Sequence, residues 1–335
     1  MTSQPAARAT LPFTRNLFML AVATAALTTF AIGASNAQTI PAKQITIVVP
    51  YAAGAAPDQI VRMIAPKLQA SIGQPVIVDN KPGASGNIGA SFVAKAAPDG
   101  STILLATQPM ITINPHLFKS MGFDPATDLT PITSAVNVVM ALSVNQSLPV
   151  NNLSELIAYA KKNPGTPYGT SGVGTPMHLA GLAINSSAGV DLNHIAYRGG
   201  ALVLNDLLAD TLKVGIVDYG SSKQFVDAGK LKILAVGEKE RFSGAPQIPT
   251  VGETILGFAI TSWFGFYGPG KMSPALAEKW SNEIKAALND PEIKARLFMM
   301  GMIVRPDGPA QLDALGKSEF VSFGKLVRDN KVTVE

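Results

Sequence analysis

The stretch that decides the fold class is residues 45–69, ITIVVPYAAGAAPDQIVRMIAPKLQ. It begins with a β-branched run, which predicts a buried strand, and it continues through a turn that contains a glycine. Pro57 then opens a segment in which Ile60, Ile64 and Leu68 recur at helical spacing. A strand that leads through a glycine turn into an amphipathic helix indicates an α/β architecture.

The same alternation continues along the chain. Residues 75–80 and 101–108 read as two further strands, and the glycine-rich stretch 83–97 predicts a second helix between them. A second alternating unit starts at Asn152, where Asn152 and Glu155 predict a capping pair in front of an apolar helix. We therefore expect two α/β domains, each a mostly parallel sheet flanked by helices, with a ligand cleft between them.

The predicted domain bounds follow from where these units end. Residues 38–146 and 262–335 are expected to form domain 1, and residues 147–261 domain 2. We expect the chain to cross between the domains near Val144–Val150 and again near Gly257–Trp263. Because ligands of open parallel sheets bind outside the carboxyl ends of the strands, the glycine turns of both domains should border the cleft.

Residues 1–37 have the pattern of a secretory signal peptide. They carry Arg8 and Arg15 but no acidic residue, continue with an apolar run, and end in Ser-Asn-Ala, which predicts cleavage after Ala37. No stop-transfer pattern follows, and the chain has no cysteine for a lipid anchor or a disulfide. We expect a freely soluble exported protein, most simply periplasmic and monomeric.

The charge of the chain does not indicate a nucleic-acid partner. The sequence pI is about 9.1, but without Arg8 and Arg15 the chain has 25 basic and 23 acidic residues, a net charge of +2. The basic residues are scattered singly and form no patch with interleaved aromatic residues. A nucleic-acid-binding protein is therefore excluded.

A glycine-rich turn in the second unit, residues 170–181 with the sequence TSGVGTPMHLAG, has two interpretations. The glycines allow a close backbone approach, and the N–H groups of a first helical turn have no partner within the helix, which suits an anion. The alternative is a tight strand-to-helix turn in which Ser171 or Thr175 is an ordinary helix cap. The second unit's position at a predicted cleft favours the ligand site.

Enzyme and metal motifs are incomplete. Val173 stands where a nucleophile elbow needs its second glycine, and Gln311 stands at the first glycine position of a phosphate loop. The three histidines, His116, His178 and His194, show no metal-ligand spacing. We expect no metal, no cofactor and no catalytic residue, and an enzyme acting on a small carboxylate is the less favoured alternative.

A set of motifs in the chain resembles the Bug-type solute-binding proteins of bacterial tripartite tricarboxylate transporters. The resemblance extends in order from Ile45 to the C-terminal helices. The motifs that carry it are VPYAAGAAPDQIVRMIAPKL, GQPVIVDNKPGASGNIGASFVAKAAPDGSTILLAT, NPHLF, YGTSGVGTPMHLAG, HIAYRGGALVLNDLLAD and GKLKILAVGEKERFSGAPQIPTVGE.

This resemblance implies a type II-like periplasmic binding protein with two crossovers, which holds a small organic acid between its domains. It also implies delivery of that acid to two integral membrane transporter subunits; a sensory module that reports to a membrane sensor is the alternative. By the resemblance, the ligand-binding residues are Tyr51, Ala53, Gly54, Ala55, Asp58 and Asn87 in the first domain, and Ser171, Gly172, Gly174, Thr175, His178, Tyr197, Arg198, Gly199 and Asp218 in the second.

The chain departs from the family pattern at one of these motifs. Where the family has a second glycine and a hydroxyl residue, Gly54 is followed by Ala55-Ala56-Pro57. Asp58 then either serves as a structural residue at the helix start or turns inward beside the ligand. Core packing is the alternative for Tyr197, and a surface ion pair is the alternative for Arg198.

Overall fold

Two mixed β-sheets, each flanked by helices, organise the chain in the computed structural model, which describes residues 1–4, 40–41 and 43–334. The predicted signal peptide covers residues 1–37, of which 5–37 lie outside the described residues. Both sheets belong to the unit Thr39–Glu335. Within the described residues, no helix combines the length and the apolar character needed to span a membrane.

The first sheet has six strands in the order β11-β4-β10-β3-β1-β2. Strands β1, β2 and β3 are parallel, whereas β10 pairs antiparallel with both β3 and β4, and β11 pairs antiparallel with β4. The strand bounds are β1 Ile45–Val49, β2 Val76–Asn80, β3 Thr102–Thr107, β4 Leu129–Val138, β10 Ser262–Pro269 and β11 Met302–Val304.

Seven helices surround this sheet. Their bounds are α1 Ala56–Ile72, α2 Asn87–Ala94, α3 Gln108–Thr112, α4 Asn114–Leu117, α9 Pro274–Leu288, α10 Pro291–Met299 and α11 Pro309–Asp329. The predicted stripe of α1 is confirmed, because Ile60, Ile64 and Leu68 are fully buried in the main core of the first domain. Burial of this stripe against the sheet is what stabilises the helix, which continues through Pro66.

The second sheet has five strands in the order β7-β6-β8-β5-β9. Strands β6, β7 and β8 are parallel, and β5 pairs antiparallel with β8 and β9. The strand bounds are β5 Met140–Asn145, β6 Thr166–Thr170, β7 Leu192–Ala196, β8 Val214–Asp218 and β9 Leu231–Val236. The helices of this domain are α5 Leu153–Lys162, α6 Pro176–Ala188, α7 Gly200–Leu208 and α8 Tyr219–Asp227.

The two-domain α/β fold is confirmed, and both sheets are mixed: four strands of each run in one direction, whereas β10 and β11 in the first sheet and β5 in the second run against them. The antiparallel pairs arise because each sheet receives strands that enter from the other domain: β5 follows the crossing out of the first domain, and β10 follows the return. The predicted capping pair is confirmed, since the Asn152 side chain accepts a hydrogen bond from the Glu155 N–H at 2.9 Å.

The first crossing lies earlier in the chain than the predicted stretch Val144–Val150. Strand β4 ends at Val138 in the first sheet, and β5 begins at Met140 in the second sheet, so the chain crosses at Val139. Strand β5, which the predicted bounds assign to domain 1, therefore belongs to the second sheet. The return falls before Ser262, inside the predicted second crossing stretch.

The C-terminal helix contacts both domains, although the predicted bounds place it wholly in domain 1. Near its start, Leu312 packs in a core cluster of the first domain. Near its end, Phe323 and Val327 pack in the core of the second domain, and Ile113 joins them from the connection after α3. Helix α11 therefore ties the two domains together on the side of α6.

Candidate functional site

The cleft between the domains is bordered by the carboxyl ends of parallel strands from both sheets. Both edges adjoin the crossing at Val139, because Val138 pairs with Ser262 in the first sheet and Met140 pairs with Asp218 in the second. All of the predicted site residues lie at these strand ends, or in the turns and first helical turns that follow them. The fold therefore places the predicted motifs at the carboxyl ends of strands in both sheets, which is where ligands of such sheets bind.

The turn from Ser171 to His178, which joins β6 to α6, leaves several polar hydrogens unused. Thr175 caps α6: its side chain accepts a hydrogen bond from the His178 N–H at 3.3 Å, and its hydroxyl donates to the Gly172 carbonyl at 2.9 Å. Five donors have no hydrogen-bond partner in the described part of the chain: the N–H groups of Ser171, Val173, Thr175 and Met177, and the Ser171 hydroxyl. Donors at a helix amino end suit a carboxylate, which the helix dipole also favours.

Two stacked imidazole rings lie against this turn. The ring centroids of His178 and His194 are 3.8 Å apart. His178 Nδ1 accepts a hydrogen bond from the Gly174 N–H at 3.2 Å, and His194 Nε2 lies 2.7 Å from the Thr170 hydroxyl. Burial lowers the pKa of each ring to about 4, so both rings are neutral near pH 7. His178 therefore supports the backbone of the turn, and the Gly174 N–H is engaged within the protein.

The loop from Tyr51 to Asp58 is held by a buried carboxylate. Asp58 is 1% exposed; its Oδ2 accepts from the Gly54 N–H at 2.8 Å and from Arg62 Nε at 2.9 Å, and its Oδ1 accepts from Asn80 Nδ2 at 2.9 Å. Burial acts to raise the pKa of Asp58, but these hydrogen bonds outweigh it, so the pKa lies below its usual value. The sequence leaves two roles open for Asp58, a structural one at the helix start and an inward one beside the ligand. These contacts give it the structural role.

The first loop uses two of its backbone donors within the protein. The Gly54 N–H is bonded to Asp58, and the Ala55 N–H donates to the Ala52 carbonyl at 3.2 Å. Five N–H groups of the loop have no partner in the described part of the chain, those of Tyr51, Ala52, Ala53, Ala56 and Asp58. Pro57 has no N–H, as the departure from the family pattern predicts.

Asn87 has a buried side-chain amide and follows a loop with a strained backbone. It is 3% exposed, its Oδ1 accepts from Asn114 Nδ2 at 2.8 Å, and its own Nδ2 has no partner among the described residues. The loop in front of it places Ala84 and Ser85 at φ values of 46° and 53°, a region that non-glycine residues rarely adopt. An unpaired buried donor held by such a loop gives the predicted binding role of Asn87 a physical basis.

The predicted ligand-binding residues Tyr197, Arg198 and Gly199 follow β7 in the second domain. The Tyr197 hydroxyl donates to Asp206 Oδ2 at 2.7 Å, and burial together with Asp206 raises the pKa of Tyr197 to about 12. Arg198 is exposed, and none of the ion pairs formed by the described residues includes it. Gly199 has a φ of 120°, which a side chain would disfavour, and it precedes α7.

Thr107 and Gln108 lie at the carboxyl end of β3, in the first sheet. The sequence motifs do not predict a binding role for either residue. The hydroxyls of Tyr51 and Thr107 are 2.9 Å apart. Gln108 is fully buried and donates to Glu319 Oε2 at 2.7 Å, and its Oε1 has no partner in the part of the chain that the structure describes. Trp263 Nε1 donates to the same Glu319 oxygen at 2.7 Å. The signal that could have identified them is a polar pair directly after an apolar strand.

Two acidic residues lie at the corresponding edge of the second sheet. Asp218 ends β8 and was predicted; Glu238, just beyond β9, was not. Glu238 Oε1 accepts a hydrogen bond from the Met140 N–H at 3.3 Å. Among the described residues, no group of three or more His, Asp or Glu side chains is arranged to hold a metal ion.

Comparison with known proteins identifies relatives along most of the chain. The family model described as "Tripartite tricarboxylate transporter family receptor" matches residues 60–330. The UPF0065 protein in the tcbD-tcbE intergenic region of Pseudomonas sp. strain P51 is 31% identical over 305 residues, which cover 90% of each chain. The resemblance that the sequence motifs predict is confirmed.

Solved structures with the same fold cover nearly the whole of their own chains. An R. palustris protein with adipate is 31% identical, with a TM-score of 0.78, and the match covers 88% of this chain and 99% of that one. The periplasmic binding protein BugD is 32% identical, with a TM-score of 0.74, and the match covers 88% and 100%.

Proposed function

We propose that this chain, which belongs to the family of tripartite tricarboxylate transporter receptors, captures a small organic carboxylate in the cleft between its two α/β domains. Receptors of this family are solute-binding proteins, so the proposal concerns binding and no chemical step. One observation carries it: within the described residues, a hydroxyl and four backbone N–H groups of the Ser171–His178 turn have no partner at the amino end of α6. Such donors match the two oxygens of a carboxylate.

The first domain supplies the opposite side of the site. Among the described residues, five N–H groups of the Tyr51–Asp58 loop and the buried side-chain amide of Asn87 have no hydrogen-bond partner. Because Asp58 anchors this loop with both of its oxygens, it leaves the ligand contacts to backbone groups and to Asn87. We propose that the second domain binds the carboxylate and that both domains contact the remainder of the ligand.

The protein then delivers its ligand from the periplasm to a membrane transporter of two integral subunits and acts as a monomer. The family membership and the leader-like pattern of residues 1–37 support this part of the proposal. The two crossing segments form a hinge, and binding is expected to close the domains as rigid bodies. X-ray scattering tests closure: the radius of gyration should fall when a stabilising carboxylate is added and should not change with one that gives no thermal shift.

A thermal-shift screen against mono-, di- and tricarboxylates, aromatic acids and amino acids tests the binding function. At about 100 times its dissociation constant, a ligand that binds only the folded protein adds about 2.7 kcal/mol to the free energy of unfolding. That gain corresponds to a shift of several degrees. A chain that no carboxylate stabilises, or one that consumes the acid which stabilises it, contradicts the proposal.

A further inference from the structure

Two acidic side chains flank one backbone position where the second sheet borders the crossing. Asp218 is the register partner of Met140 on β5, and Glu238 accepts a hydrogen bond from the Met140 N–H. Since β5 lies between β8 and β9, the two acids approach Met140 from its two neighbouring strands. Neither residue belongs to the Tyr51–Asp58 loop or to the Ser171–His178 turn.

The acid pair is incompletely satisfied by the protein. Glu238 is 6% exposed, and its Oε2 is buried without a hydrogen-bond partner among the described residues. No ion pair within the described ranges includes either Glu238 or Asp218. A buried carboxyl oxygen without a partner is costly, so a native protein that keeps one is expected to have a use for it.

Burial also keeps these groups from being fully charged. It raises the pKa of Asp218 to about 6, and it raises the pKa of Glu238 to about 7, to which the charge of Asp218 adds. Near neutral pH the pair therefore carries between one and two negative charges. A donor with a positive charge would complete the hydrogen bonds and neutralise the pair at once.

We propose that Asp218 and Glu238 form a subsite for the ammonium group of the ligand, so that the captured solute is a small amino carboxylate. This inference rests on the proposed function, because it assumes that the carboxylate of the same molecule lies at the Ser171–His178 turn. A second carboxylate in this position would meet like charges. None of the ion pairs among the described residues supplies a cation to offset them, and the arginine of the predicted site, Arg198, is exposed.

The sheet order sets the separation between the two ends of the ligand. The turn that holds the carboxylate follows β6, Asp218 lies on the adjacent strand β8, and Met140 lies one strand further. Neighbouring strands are about 4.8 Å apart, so the ammonium lies about 5–10 Å from the carboxylate. An α-amino group is too close to its own carboxylate for this span, whereas a terminal amine on a chain of about four to six carbons reaches it.

Calorimetric titration with three six-carbon acids tests the subsite: 6-aminohexanoate, hexanoate and adipate, together with 4-aminobutanoate as a shorter amine. We expect an amino acid of this set to bind the wild-type protein at least tenfold more tightly than adipate. Glu238→Gln and Asp218→Asn should each weaken the binding of that amino acid at least fivefold and change the affinity for hexanoate by less than twofold. The glutamine keeps an acceptor for the Met140 N–H, so this change tests charge and not support of the crossing.

The outcomes separate the subsite from the function on which it rests. Adipate that binds as tightly as the amines, or an amine preference that survives in both variants, overturns the subsite alone. If none of the four acids binds or raises the melting temperature while another carboxylate does, the subsite also fails. If no carboxylate of any class binds, the proposed function fails with it. Thermal unfolding of each variant without ligand verifies that it folds.

Discussion

The Tyr51–Asp58 loop and the Ser171–His178 turn both connect a parallel strand to a helix at the cleft, and both contain a left-handed glycine. They differ in what holds them. The first is tied by a buried carboxylate that bonds Gly54, and its helix has no side-chain cap. The second is tied by a capping hydroxyl on Thr175 and by two neutral imidazole rings.

This difference decides which turn can receive an anion. A buried carboxylate holds the first loop through the Gly54 N–H, whereas the groups that hold the second turn, Thr175 and the two imidazole rings, are neutral. Like charges at short range are unfavourable, and a neutral, donor-rich turn is favourable for a carboxylate. We therefore expect the same backbone plan to serve binding in one domain and mainly positioning in the other.

The largest expected effect is on the charged loop. Asp58→Ala removes the acceptor of the Gly54 N–H, of Arg62 Nε and of one Asn80 amide hydrogen, so we expect the free energy of unfolding to fall by about 2–3 kcal/mol. The control is Asp227→Ala, which removes an exposed ion pair with Lys223 and should change the free energy of unfolding by less than about 0.5 kcal/mol. Urea unfolding measures both. Equal effects of the two substitutions would show that Asp58 does not anchor the loop.

Acid should weaken the second turn first. Burial lowers the pKa of His178 to about 4 in the folded protein, against about 6.5 in the unfolded chain, so between these values only the unfolded chain gains the proton. The free energy of unfolding should therefore fall as the pH decreases from about 6.5 to about 4, by about 2 kcal/mol for this residue.

The variant His178→Gln should lose that part of the pH dependence. Asp58→Ala should keep it, because the pKa of Asp58 lies below 3.8 and its contribution is lost only at lower pH. Urea unfolding at several pH values separates these cases. A His178→Gln variant with the same slope as the wild type would mean that this ring is not held neutral in the folded protein.

A smaller effect is expected from the glycine at the contact between the domains. Gly174 has a φ of 74°, and a Cβ atom there would overlap the Cδ1 atom of Leu117. Gly174→Ala should destabilise the protein by about 1–2 kcal/mol. Gly200→Ala is the matched control, since a Cβ at that position meets no atom within 4 Å. Chemical denaturation that finds the two variants equally stable would contradict the close approach.

Local patterns in the sequence predict the elements of this fold but not all of their partners. The strand and helix of residues 45–72 and the cap at Thr175 follow from periodicity and turn chemistry, and both are confirmed. The run VNVVMALSVN, residues 136–145, contains no glycine or proline to mark a break, yet its first half pairs in one sheet and its second half in the other. Which sheet a strand joins depends on residues far along the chain, so the crossing at Val139 was not predictable from that run.

The same limit applies to the site. The motifs place each turn at the cleft, because glycine and helix-start signals are local. Whether a polar group is free depends on distant partners: Asp58 is engaged by Asn80, and Glu238 by the N–H of Met140, 98 residues away. The sequence therefore identifies which turns form the site, whereas only the folded contacts show which of their polar groups remain available.

The measurement that tests the central claim most directly is calorimetric titration of Ser171→Ala with the carboxylate that binds the wild type most tightly. The Ser171 hydroxyl is free in the described contacts, so its loss should weaken binding by about 0.5–1.5 kcal/mol, and by more if it donates to a charged oxygen. Ser186→Ala, at the far end of α6, should leave the affinity unchanged. If Ser171→Ala also leaves the affinity unchanged, the carboxylate is not held at the Ser171–His178 turn.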